Sequence, residues 1–85
     1  MKQIVIDCTA VHSRADLHQV FAEALSFPEY YGKNLDALYD CLTGLSATLH
    51  LVNWEKNGMG IYASAVRKVL ENAAARNPLL TVYFE

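Results

Sequence analysis

Pro28-Glu29-Tyr30-Tyr31-Gly32-Lys33-Asn34-Leu35-Asp36-Ala37-Leu38-Tyr39-Asp40-Cys41-Leu42-Thr43-Gly44-Leu45 contains a short helix with its own start and stop signals. Asn34 offers a side-chain oxygen as N-cap, and Gly44 follows Thr43 as a C-terminal stop. At about 100° per residue, Leu35, Leu38, Cys41 and Leu42 gather on one side of the predicted helix. Asp36, Tyr39, Asp40 and Thr43 gather on the other. The first face is apolar and calls for a core; the second has a composition of its own.

Outward from this helix, the chain alternates between strand and helix patterns. Gln3 to Cys8 is a short β-branched run read as a strand, continuous enough to suit burial on both faces. Ser13 is a candidate N-cap with Asp16 three residues on, in the manner of a capping box. Leu17, Val20, Phe21, Ala24 and Leu25 form one apolar helix stripe, which Pro28 ends. On the other side, Thr48 to Trp54 reads as a second strand, and Lys56 to Gly60 as a loop. A long helix over roughly 61–76 carries Ile61, Ala65, Val69 and Ala73 at helical spacing, with Val66 and Leu70 beside them. Asn77 and Pro78 close it, and Leu79 to Phe84 is a third strand. Strands alternating with helices point to an α/β fold: a three-stranded parallel sheet with helices packed against it. At 85 residues, with no repeat and no linker, the expectation is one domain over 1–85.

The composition narrows the function. Hydrophobic residues are 53% of the chain and charged residues 19%, which excludes a disordered chain. No apolar run reaches the roughly 18 residues of a membrane span. The run after Lys2 is too short for a secretory signal and is broken by Asp7, so a cytoplasmic protein is expected. Net charge is −2, from nine acidic and seven basic residues without a Lys/Arg cluster, which argues against a nucleic-acid binder. Cys8 and Cys41 are expected as two free, buried thiols. Neither they nor His12, His18 and His50 show paired zinc-ligand spacing. His50 reads as a satisfied sheet residue, Trp54 as a core or rim aromatic, and Gly58-Met59-Gly60 as a loop.

The polar face of the 35–43 helix remains to be explained. Asp36 and Asp40 are like charges at i, i+4, which costs a helix roughly 0.2–0.5 kcal/mol. Asp36 in the first turn gains from the helix dipole; Asp40 lies too far along to gain much. The segment from Pro28 to Leu45 holds three of the nine acids and three of the five tyrosines. Exposed tyrosine beside unpaired acid is the composition of a protein-binding hot spot. Three other readings stand beside it. The face is merely solvated; the carboxylates take a divalent cation, with only Glu29 near enough in sequence to assist; or they act as a catalytic pair, which needs an enclosing pocket that a chain this small rarely builds.

The stretch Pro28 to Gly44 also resembles the barstar family, the intracellular inhibitors of barnase-type bacterial ribonucleases. A tyrosine pair, then Gly-x-Asn-Leu-Asp-Ala-Leu-aromatic-Asp and Cys-Leu-Thr-Gly in one register, carries the resemblance, and Asp16-Leu17-His18-Gln19 is similar to the family's first helix. The element order matches over nearly the whole chain. The resemblance implies a barstar-like fold and a non-enzymatic inhibitor, without cofactor or metal, that plugs the active site of a small basic ribonuclease in a one-to-one complex. It assigns partner contacts to Tyr30, Asn34, Asp36, Tyr39, Asp40, Thr43 and Gly44. Asp40 stands in for an RNA phosphate, Asp36 is a second charge contact, and Tyr30 covers the catalytic histidine. Tyr39 and Leu45 stand where the family has interface tryptophans. Asn72 stands where it has a contacting glutamate, with Arg76 one turn on; Pro78 stands at a family cysteine, while Cys8 is new. The expected partner is therefore a barnase-like enzyme with an altered rim. The alternative is an immunity or regulatory module of the same fold for a partner that is not a ribonuclease.

Overall fold

The computed structural model describes residues 2–85. Strand β1 is Lys2–Asp7, followed by a 3₁₀ turn Cys8–Ala10, helix α1 Arg14–Leu25 and helix α2 Leu35–Thr43. Strand β2 is Ala47–Val52, with a second 3₁₀ turn Trp54–Lys56, helix α3 Tyr62–Arg76 and strand β3 Leu80–Phe84. The three strands form one parallel sheet in the order β1-β2-β3. The expected α/β class and parallel sheet are both present.

The sheet is covered on one face. Ile6, Ala47, Leu49, Leu51 and Leu80 point into a core completed by Leu17, Phe21 and Leu25 of α1, Leu38 and Leu42 of α2, and Val66, Leu70 and Ala73 of α3. Strand β2 alternates buried and half-buried positions along its whole length. This corrects the expectation that β1 is buried on both faces: Val5, opposite His50, is 66% exposed. An Ile-Val-Ile run has no internal period, so its sequence did not reveal that the second face would lack a helix layer. On that face His50 is satisfied, as expected. Its Nδ1 lies 2.6 Å from Glu85 Oε2 and its Nε2 lies 2.8 Å from Gln3 Oε1, with the Tyr83 ring stacked on it.

Local signals set most boundaries. Ser13 caps α1 by accepting from the Asp16 N–H at 3.1 Å. Asp16 returns its bond to the His12 N–H at 3.0 Å rather than to Ser13 itself. The helix ends on Ser26, in the left-handed region, two residues before Pro28. Ala24 in the expected stripe is exposed, whereas His18 is buried. Ile61 is a second correction: it is 92% exposed and precedes α3 as its cap. The core stripe of α3 is Val66, Leu70 and Ala73. Ile61 lies five residues before Val66, which places it about 140° around the helix from the core. Trp54 is buried, its ring edge-on to Phe84 at 4.9 Å. Gly58 lies so close to His12 that a Cβ there would sit 2.9 Å from the His12 carbonyl oxygen. This approach joins the loop before α3 to the segment after β1.

Candidate partner-binding site

Helix α2 forms where the sequence signals place it. Asn34 has extended backbone angles, and its Oδ1 accepts the Ala37 N–H at 2.8 Å. Its side-chain amide also donates to the Gly32 carbonyl at 3.2 Å, so one residue both starts the helix and closes the loop before it. Lys33, with φ of 54°, makes the left-handed turn that brings Asn34 into this position. A cap of this kind contributes about 1 kcal/mol. Leu38 and Leu42 are fully buried, and Leu35 and Cys41 are half-buried beside them. The opposite face is thereby fixed toward solvent.

That face carries four of the eight expected residues, and the other four lie at its ends or in the loop before it. Asp36 and Asp40 are exposed, and Tyr39 and Thr43 are half-buried. The ion pairs among the described residues are His50 with Glu85 and Arg67 with Glu71, so neither aspartate is neutralised within the molecule. The Thr43 hydroxyl donates to the Asp40 carbonyl at 2.9 Å, which leaves the Asp40 carboxylate free. Tyr30, in the loop ahead of α2, is 89% exposed. Gly44 is exposed and closes the helix through its N–H to the Cys41 and Leu42 carbonyls, with an ordinary negative φ. Leu45 is half-buried after it. Asn72 and Arg76 are exposed on α3, the helix packed beside α2.

Two buried polar residues near the site have partners that were not legible in the sequence. Asn77 is buried, and its amide donates to the Leu42 carbonyl at 3.0 Å and the Leu45 carbonyl at 2.8 Å. It thus ties the end of α3 to the C-terminal end of α2. His18, 2% exposed, lies between Tyr31 and Tyr62, its Nδ1 2.6 Å from Tyr31 Oη and its Nε2 2.8 Å from Tyr62 Oη. Its sequence signals were its place beside Leu17 at the edge of the apolar stripe and its part in the stretch that resembles the family's first helix, and neither disclosed its tyrosine partners.

One surface cavity of about 460 Å³ is lined by Ser13, Arg14, Ala15, His18, Gln19 and Lys33, and another of about 530 Å³ lies on the open sheet face. Asp36 and Asp40 line neither. Among the described residues, no group of three or more His, Cys, Asp or Glu is placed to hold a metal ion. Cys8 and Cys41 are both free; Cys8 is buried as expected, while Cys41 is only half-buried. No helix of the described residues is long and apolar enough to cross a membrane.

A family model described as Barstar (barnase inhibitor) matches residues 1–84. The chain belongs to the barstar family. It is also similar to a Bacillus subtilis (strain 168) protein named "Putative ribonuclease inhibitor YrdF", 44% identical over 78 residues, which is 86% of each chain. Barstar-family proteins are inhibitors and not enzymes. Ribonuclease inhibition is thus the general activity to which family and relative point.

Proposed function

We propose that this chain, acting as one barstar-like domain over residues 1–85, inhibits a small basic barnase-like ribonuclease by covering its active site in a one-to-one complex. The carrying observation is the pair Asp36 and Asp40, exposed on α2 without an ion-pair partner among the described residues, with the exposed ring of Tyr30 in the loop ahead of that helix. A ribonuclease site is built to hold phosphates with cations. A carboxylate on a rigid helix meets those cations without bringing a bond to cleave. Asp40 is the central anion and Asp36 the second. Tyr30 and Tyr39 supply apolar area, and Asn34, Thr43, Gly44 and Leu45 complete the polar and apolar rim. Complementary charge speeds the encounter as well as holding the complex. Asn72 and Arg76 make the rim less anionic than the family pattern and Leu45 changes its shape, which favours a barnase-like enzyme other than barnase itself. The role is that of an immunity protein in the cytoplasm, neutralising the nuclease before export or after uptake.

The test is inhibition of the ribonuclease by Asp40→Ala. Removing one partner of a desolvated charge pair strands the other, at a cost of about 3–5 kcal/mol, or on the order of a hundredfold to more than a thousandfold in affinity. Asp36→Ala costs less, because a charge nearer the rim keeps more water. Tyr30→Ala and Tyr39→Ala fall between them, through lost packing. Wild-type inhibition by Asp40→Ala would remove the phosphate-mimic mechanism and leave the acidic stripe as a solvated helix face. Asp40-dependent capture of a partner without ribonuclease activity would instead favour a regulatory module of the same fold.

A further inference from the structure

The segment between α1 and α2 presents Tyr30 but forms no helix or strand of its own. Its hydrogen bonds along the backbone are local: Phe27 N–H to the Ala22 carbonyl at 3.0 Å, and Tyr31 N–H to the Pro28 carbonyl at 2.9 Å. Its deeply seated side chain is Tyr31, 7% exposed, packed against Phe27 with ring centroids 4.8 Å apart. The Tyr31 hydroxyl meets His18 of α1, and the other nitrogen of His18 meets Tyr62 at the start of α3. Three parts of the chain therefore converge on one buried imidazole. A neutral imidazole donates from one nitrogen and accepts at the other, and a tyrosine hydroxyl can complement either role. Both ring nitrogens are satisfied whichever tautomer is present.

We infer that His18 is a positioning residue for partner recognition. Acting through Tyr31, it holds the loop in the shape in which neighbouring Tyr30 is exposed ahead of α2. The inference rests on the inhibitor reading above. An exposed tyrosine is an effective anchor only when its backbone is ordered before contact, because ordering a loop on binding subtracts from affinity. Tyr30 has no buried surface of its own to order it. The adjacent Tyr31 does, and the bond to His18 ties that side chain to the helices.

A double-mutant cycle separates positioning from mere core packing. The probe is a barnase-type ribonuclease that the wild-type protein inhibits, barnase being the first assayed. Tyr31→Phe keeps the ring and removes the hydroxyl; His18→Gln keeps a donor and an acceptor in altered geometry. Each is measured alone and combined with Tyr30→Ala or Asp40→Ala, below the melting range of every variant. Tyr31→Phe is expected to weaken inhibition roughly 3- to 10-fold, as loss of one hydrogen bond does. In the Tyr31→Phe and His18→Gln backgrounds Tyr30→Ala costs a smaller factor than in wild type, while Asp40→Ala costs the same factor. An unchanged Tyr30→Ala factor in both backgrounds overturns the inference. Should Asp40→Ala inhibit as wild type does, it is the inhibitor reading that has failed. Hydrogen exchange on the free protein needs no enzyme: in Tyr31→Phe the amides of residues 29–33 exchange faster, while those of β2 and α3 do not. Unchanged loop exchange overturns the inference independently.

Discussion

Burial holds the His18 imidazole below its ordinary pKa, with the nearby Arg14 guanidinium as the second cause. The unfolded chain releases this proton near pH 6.5, whereas the native protein has already released it at lower pH. Below about pH 6.5 the unfolded state therefore binds a proton that the native state does not, and the native state loses ground. The contribution is complete above that pH, falls as the pH drops toward the native value, and levels off beneath it. Urea unfolding between pH 8 and 5 should show stability declining by at most about 1.4 kcal/mol per pH unit from this residue. The decline should flatten in His18→Gln. At Cys8, burial first and Asp7 second push the thiol up to about 11, while burial and then Asp40 raise Cys41. Both thiols should thus react slowly with an alkylating reagent in the native protein at pH 8. Two per chain should react once it is unfolded; a count of zero would mean that the cysteines are oxidised. Asp40→Ala is expected to leave the melting temperature level or slightly higher, since the i, i+4 repulsion with Asp36 costs a few tenths of a kcal/mol.

Helix α2 could be read from sequence because its determinants are local: the Asn34 cap, the Leu38–Leu42 face and the Gly44 stop act within one short segment. Asn34→Ala should lower stability by about 1 kcal/mol, or roughly 4–8 °C in melting temperature for a domain of this size. The unread features depend on distant partners. The openness of β1 follows from which face of the sheet the helices cover, which an Ile-Val-Ile run does not record. Ile61 fitted a helical spacing with Ala65 and Val69, yet the face that seats α3 is set by Val66, Leu70 and Ala73. Asn77 resembled an ordinary helix stop before proline. The carbonyls it serves are more than thirty residues earlier, at Leu42 and Leu45. Asn77→Ala takes the amide from the Leu45 carbonyl and removes one of the donors to the Leu42 carbonyl, which keeps the Leu45 N–H, and should cost about 1–3 kcal/mol. Thermal melting reads that loss, and a larger effect on inhibition than on stability would show that the end of α2 has moved.

Over the whole molecule, the modest net charge of −2 conceals a local arrangement. The unpaired carboxylates of α2 project from a chain whose cations are dispersed. Encounter with a basic partner should therefore slow as ionic strength rises from 0.01 to 0.5 M, where the screening length falls several-fold from about 30 Å. The slope should be shallower for Asp36→Asn, and stopped-flow association measures both. The order of the elements has a consequence in time. The recognition segment lies wholly within the crossover from β1 to β2, but the helix packed against α2, and the asparagine that ties its end, come from the last third of the chain. A ribosome that has just finished β2 has made every proposed contact residue, but the helix and loops that carry them still lack the support of α3. At about 5–20 residues per second, the rest of the chain takes roughly 2–7 s to follow. On the proposed inhibitor reading, a cell that makes both proteins is protected by folded inhibitor rather than by nascent chains, and its safety lies in translating this small protein first.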